Sequence, residues 1–303
     1  MKQHRVQFDF EIEFANGGGL QGQGFRLDID GDAIDDRSLG DLMVADLRLL
    51  MVAAVRIRNK EIINEAHKRA AQAPARGAAA AAAETLIDLN HVIESGMITY
   101  KGLPAPLVCD FLSRDASQRL YSPGTSFQIA RLEMVANTGT YLDSPYHRFA
   151  HGEDVSELAL TRLAGLEAVV VNVAGMRGRS VEREVFLPFD VRGRAVLVHT
   201  GWARHWRTDA YFEGHPFLTE SAAQHLRDRG AALVGIDSLN IDDIAGSERP
   251  VHTTLLGGGI PIVEHLCNLE RVPAAGARFS AVPPRVKGMG TFPVRAYARL
   301  PGA

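Results

Sequence analysis

Apolar and polar residues alternate without a break from Val6 to Phe14, which predicts a strand with one buried face. Glycines at 17–19 turn the chain, and Gly24 to Ile29 reads as a second strand. Gly19-x-x-Gly22-x-Gly24 sits in this hairpin connection as a turn, without the order of a dinucleotide-binding loop. Asp35, Asp36 or Ser38 can start a helix whose apolar positions Leu39, Leu42, Met43, Leu47 and Leu50 recur at helical spacing. A hairpin or two short strands around Asn59-Lys60 complete a β-β-α-β unit. These elements predict a small α+β accessory domain over residues 1–69. Residues 70–84 hold no large apolar side chain and six consecutive alanines, which reads as a linker.

From Thr85 the pattern changes. Ala168–Val173, Ala195–His199 and Ala232–Ile236 are short apolar runs typical of strands buried on both faces. Thr219 can cap a helix that ends near Gly230. Strands interleaved with helices predict an α/β domain with a mixed sheet over residues 85–303.

Composition adds exclusions. The chain of 303 residues is 46% hydrophobic and 23% charged, with a formal net charge of −3, so neither nucleic acid nor an anionic membrane is the expected partner. No apolar run reaches the length of a membrane span and the start lacks a signal-peptide core, so the expected location is cytoplasmic. Cys109 and Cys267 lie in apolar contexts far apart and read as buried free thiols.

The densest chemistry lies in Asn137-Thr-Gly-Thr-Tyr141-Leu-Asp143-Ser-Pro-Tyr-His147. Side chains two or four residues apart in an extended segment share a face, so Asn137, Tyr141, Asp143 and His147 can converge. The segment resembles the signature of the bacterial cyclase family, which includes metal-dependent kynurenine formamidases and isatin hydrolases. That signature reads His-x-Gly-Thr-His-x-Asp-x-Pro-x-His; here Asn137 and Tyr141 replace its first two histidines. Further blocks resemble the family in order: Asp88-Leu-Asn-His91, Val198 to Trp202 with His215 to Leu218, Gly235 to Asp242 read as the strand after the helix, His252 to Glu264, and Gly290 to Arg295.

The resemblance implies a mixed-sheet α/β fold of the swivelling β/β/α type. It implies an amidohydrolase acting on a C–N or C–O bond of a small, often cyclic, amide, formamide or lactone. Carried over by position, one metal site would be Asn137, Tyr141 and Asp143, and a second Asp143, His252 and Glu264. A carboxamide and a phenol of pKa about 10 are poor ligands, so at most one divalent ion, zinc or manganese, is expected, at the second site. There it would activate water and polarise a carbonyl. His147 is then the expected general base and acid, with Tyr141 and Asn137 stabilising an oxyanion. His91, Trp202 and Phe217 are candidate substrate contacts, though each also fits a purely structural place. The resemblance further implies a homodimer or larger homo-oligomer. Two alternatives stay open: metal-free ring closure, dehydration or elimination on a carbonyl compound, and a binding protein that has lost turnover.

Overall fold

The computed structural model describes residues 4–15, 17–29, 31–47, 49, 52–64 and 85–301. The expected linker at 70–84 lies outside them. The chain divides into two compact units, Met1–Ala81 and Ala82–Ala303.

In the first unit, β1 (His4–Phe14) is central, paired antiparallel with β2 (Gly19–Ile29) and β3 (Val52–Asn64). The alternation has its expected result: Val6, Phe8, Phe10 and Ile12 are buried with Leu39 and Met43 of α1 (Asp36–Asp46). Asp35 caps α1, its carboxylate accepting from the N–H groups of Arg37 and Ser38. Leu42, expected on the apolar stripe, is 37% exposed. The region around Asn59-Lys60 is one strand, not a hairpin or a pair. Asn59 takes φ 51° in a bulge and its amide donates to Asp9 Oδ2 at 2.6 Å, so β3 stays paired to β1 on both sides. Gly22 faces Phe10 across the sheet; a Cβ there would meet the ring at 2.4 Å.

The second unit contains, in chain order, β4 (Thr85–Asp88), β5 (Leu107–Leu112), α2 (Arg114–Gln118), β6 (Ile129–Glu133), β7 (Tyr141–Asp143) and β8 (Leu166–Asn172). Then follow β9 (Ser180–Val181), β10 (Ala195–His199), β11 (Phe217–Leu218), α3 (Glu220–Asp228), β12 (Leu233–Ile236) and α4 (Pro250–Gly257). The last strands are β13 (Ile262–Glu264), β14 (Arg278–Ser280), β15 (Thr291–Pro293) and β16 (Tyr297–Leu300). Nine of these strands form one mixed sheet in the order β15-β7-β13-β12-β10-β8-β14-β16-β4. Its centre, β8-β10-β12-β13, is parallel, and the flanking strands are antiparallel.

Both faces of this centre are buried, which is why its strands read as continuous apolar runs. Val170 and Leu197 enter one cluster with Phe279; Val169, Val171, Val196 and Val198 enter the other, under Leu226 of α3 and Leu255 of α4. Thr219 caps α3 as its sequence suggests. β12 ends at Ile236, so residues 237–242 form a buried loop instead of continuing the strand. Cys267 is buried as a free thiol, whereas Cys109 is exposed on β5, because the β5–β6 hairpin leaves most of its side chains uncovered.

Candidate active site

Strand register builds the site. On β7, Tyr141 and Asp143 point to the same face. Tyr141 lies opposite Glu264 of β13, and Asp143 opposite both Ile262 of β13 and Thr291 of β15. Cross-strand partners share a face, so three short strands place a phenol, two carboxylates and a hydroxyl side by side. A 3₁₀ turn at Pro145–His147 follows β7 directly and carries His147 back over Asp143. His252 enters from the first turn of α4.

Asn137, Tyr141, His147, Asn240, His252 and Glu264 line one cavity of about 370 Å³ together with Tyr100 to Leu103. Asp143 lies behind His147 and His252, fully inaccessible. His147 Nδ1 is 3.7 Å from Asp143 Oδ1, and His252 Nε2 is 3.6 Å from Asp143 Oδ2. His252 Nε2 also lies 3.8 Å from Glu264 Oε1.

The hydrogen bonds fix proton positions. A carboxylate only accepts, so the Thr291 hydroxyl spends its single proton on Asp143 Oδ1. The 2.8 Å contact between Thr291 Oγ1 and His147 Nδ1 must then run from a protonated Nδ1, so that in the neutral ring Nε2 is the bare nitrogen. His252 Nδ1 donates to Asp242 Oδ2 at 2.6 Å, turning Nε2 toward Asp143 and Glu264. Tyr141 donates its hydroxyl proton to Glu264 Oε2 at 2.7 Å, and Glu264 Oε1 accepts from Ile241 N at 2.6 Å.

Burial and charge set the titration. Burial pulls the His252 imidazole toward neutrality, but the neighbouring carboxylates of Asp143 and Asp242, and then the charge of Glu264, outweigh it and raise its pKa to about 10. Burial, helped by Asp143, raises Glu264 to about 7 despite the opposing pull of His252. Burial raises Asp143 too, yet the neighbouring His147 and His252 imidazoles leave it below the usual carboxylate range. Burial, then the Glu264 and Asp143 charges, hold the Tyr141 phenol protonated well above its ordinary value.

Tyr141 thus has its one proton committed to Glu264, and it cannot also donate to an oxyanion as the sequence suggested. Asn137 lines the same cavity, and its amide N–H groups can serve that purpose. The other sequence candidates lie elsewhere. His91 stacks on Trp206, with ring centroids 3.9 Å apart, and Trp202 donates from Nε1 to Tyr211 O at 3.0 Å. Phe217 sits on β11 beneath Arg179. None of the three lines the cavity, since each packs within its own local cluster. Thr291, Asp242 and Asn240 carry no local signal of a role in the chain. Thr291 and Asp242 stand within the family-like blocks, but only register and the approach of α4 bring them to the site.

The donor set suits a divalent metal. Asp143 Oδ2 is a buried acceptor with no hydrogen-bond partner. The 3.6 and 3.8 Å gaps around His252 Nε2 exceed a hydrogen bond and match the ~3.4 Å edge of a tetrahedron with ~2.1 Å metal–ligand bonds. Asp143, His147 and His252 each offer a ligand atom within 4.8 Å of the others. Glu264 reaches this group on the His252 side, with both oxygens already accepting hydrogen bonds.

Known proteins share the sequence pattern and the fold of the second unit. A family model described as "Putative cyclase" matches residues 87–243. Kynurenine formamidase of Geobacillus thermodenitrificans is 29% identical over 180 residues, which is 58% of this chain and 82% of that protein. The kynurenine formamidase of Bacillus cereus strain ATCC 14579 is 27% identical over 175 residues, 57% of this chain and 81% of its own. A solved structure described as a "potential metal-dependent hydrolase with cyclase activity" superposes with a TM-score of 0.60 at 26% identity, covering 72% of this chain and 98% of the other. Isatin hydrolase A from Ralstonia solanacearum shares the fold, with a TM-score of 0.63 at 20% identity over 72% of this chain and 92% of its own.

Proposed function

Because the chain belongs to the cyclase family, we propose that it is a metal-assisted hydrolase opening a C–N bond of a small amide or formamide, or the C–O bond of a lactone. Its curated relatives are hydrolases, which supports this reaction class. The observation that carries the reading is the unpartnered Asp143 Oδ2, buried and facing His252 Nε2 at 3.6 Å. A buried carboxylate oxygen without a donor is costly unless a cation completes it.

Asp143, His252 and Glu264 would hold the ion, which leaves His147 free to act as the base. A divalent ion there supplies Lewis-acid polarisation of the scissile carbonyl and acidifies water. The rest falls to this chain's side chains. The bare Nε2 of His147, oriented through Thr291 and Asp143, accepts the proton of the attacking water and returns it to the leaving nitrogen or oxygen. Asn137 places an amide N–H on the cavity wall for the developing oxyanion. Glu264, locked between Ile241 N and the Tyr141 hydroxyl, holds the rear wall. Tyr100 to Leu103 line the same cavity.

The test is a hydrolysis screen of N-formyl aromatic amines, cyclic amides and lactones with the protein before and after chelation. Turnover of one class, lost on chelation and restored by zinc or manganese, is expected. The same substrates eliminated or cyclised without metal would instead establish metal-free chemistry, and binding without turnover a non-catalytic relative.

A further inference from the structure

We propose that Asp242 is a positioning residue that fixes the reactive face of His252; the inference rests on the reading that His252 belongs to the reacting centre. Asp242 lies in the buried loop after β12 and is fully inaccessible. Its carboxylate accepts three N–H groups: Val251 N at 2.7 Å on Oδ1, and His252 N at 3.0 Å and His252 Nδ1 at 2.6 Å on Oδ2. Among the described residues, its one ion-pair partner is His252.

Two tasks are joined here. Arg249, the N-cap residue of α4, makes no side-chain cap. Asp242 supplies the missing anion from the loop, satisfying two N–H groups of the first turn where the helix dipole favours negative charge. The same Oδ2 holds the imidazole of the residue it caps. Since a carboxylate cannot donate, the proton must sit on Nδ1 and the ring plane is pinned, so Nε2 has no choice but to face Asp143 and Glu264. Asp242 is itself held at both ends of its backbone, its N–H donating to Asn240 Oδ1 at 2.9 Å and its carbonyl meeting His215 Nε2 at 3.0 Å. Asn240 lines the cavity, so the positioning loop and the cavity wall are one segment. An imidazole oriented by an outer carboxylate is a stronger and better-aimed ligand than a free one.

Asp242→Asn keeps the shape but offers one acceptor oxygen for three donors. The experiment compares it with the wild type by proton NMR of the imidazole N–H groups, His252→Gln supplying the assignment, and by zinc titration against a competing chelator. The expected result is a downfield, slowly exchanging His252 Nδ1–H in the wild type that is lost in Asp242→Asn, with zinc affinity lowered about 10- to 100-fold. A variant that melts earlier but retains the Nδ1–H resonance and the zinc affinity would reduce Asp242 to a helix cap and overturn the proposal. Should the variant not fold, a wild-type His252 lacking a proton on Nδ1 overturns it alone. If His252→Gln keeps full hydrolytic activity, the functional reading fails instead, whatever the resonance shows.

Discussion

At the scale of single residues, the site depends on where protons sit. Thr291 has one proton and two neighbours, so its donation to Asp143 dictates the tautomer of His147. Thr291→Val keeps the shape and removes the relay. We expect kcat to fall about tenfold or more with KM nearly unchanged, because orientation of the base is lost and not substrate contact. His147→Ala should cost about 10²- to 10⁴-fold in kcat, the usual worth of a general base. Steady-state kinetics on the substrate class found by screening checks both.

His91 gives a residue-level test of stability. Burial against Trp206 lowers its pKa to about 4, from 6.5 in an unfolded chain. Between those values the unfolded chain binds a proton that the folded protein refuses, so stability is intact above pH 6.5 and declines as pH falls toward 4. In His91→Gln, thermal melts over that window should show a shallower acid decline than the wild type; an unchanged slope would mean that His91 does not contribute.

At the scale of elements, two glycines clamp the turn that carries His147. A Cβ at Gly290 would lie 2.5 Å from the backbone N and Cα of His147, and one at Gly152 2.5 Å from the carbonyl carbon of Pro145. Neither neighbour is a flexible side-chain tip. Gly290→Ala therefore has to push the 3₁₀ turn off β15, at a cost of about 1–3 kcal/mol. Activity should fall more than stability predicts, which parallel melting and rate measurements would show. This contact also marks the limit of what the chain discloses locally. The stretch from Asn137 to His147 was legible because its spacing and its likeness to a family signature are both local. The roles of Thr291 and Gly290 were not, because they arise where β15 meets β7, more than a hundred residues away in sequence, and Asp242 reaches His252 only once its buried loop folds against the start of α4. The same holds for β3: a local reading of Asn59 suggests a turn, and only pairing with β1 converts it to a bulge. Tyr141 was found but its donation to Glu264 was not, since its cross-strand neighbour cannot be known before the register.

At the scale of the molecule, the sheet and its two apolar layers follow from the pattern of β8, β10 and β12, and the boundary between units falls where composition changes. Among the described residues, no helix is long and apolar enough to cross a membrane. The β5–β6 hairpin stands out. Leu107, Val108 and Phe111 of β5 and Ile129 and Leu132 of β6, spread over both of its faces, are 45% to 77% exposed. Exposed apolar surface on this scale is unusual for a monomer. We expect a homodimer or larger assembly that buries the β5–β6 hairpin. Leu107→Asp with Leu132→Asp should shift the mass measured by light scattering to that of one chain; an unchanged mass would place the contact elsewhere.

Hydrolysis at this site requires a cation that completes Asp143, and its binding is measurable without knowing the substrate. Crystals grown with manganese or zinc, and data collected at the metal's absorption edge, should show an anomalous peak bonded to Asp143 Oδ2 and His252 Nε2 that is absent in Asp143→Asn. No peak at saturating metal, with hydrolysis retained by Asp143→Asn, would contradict it.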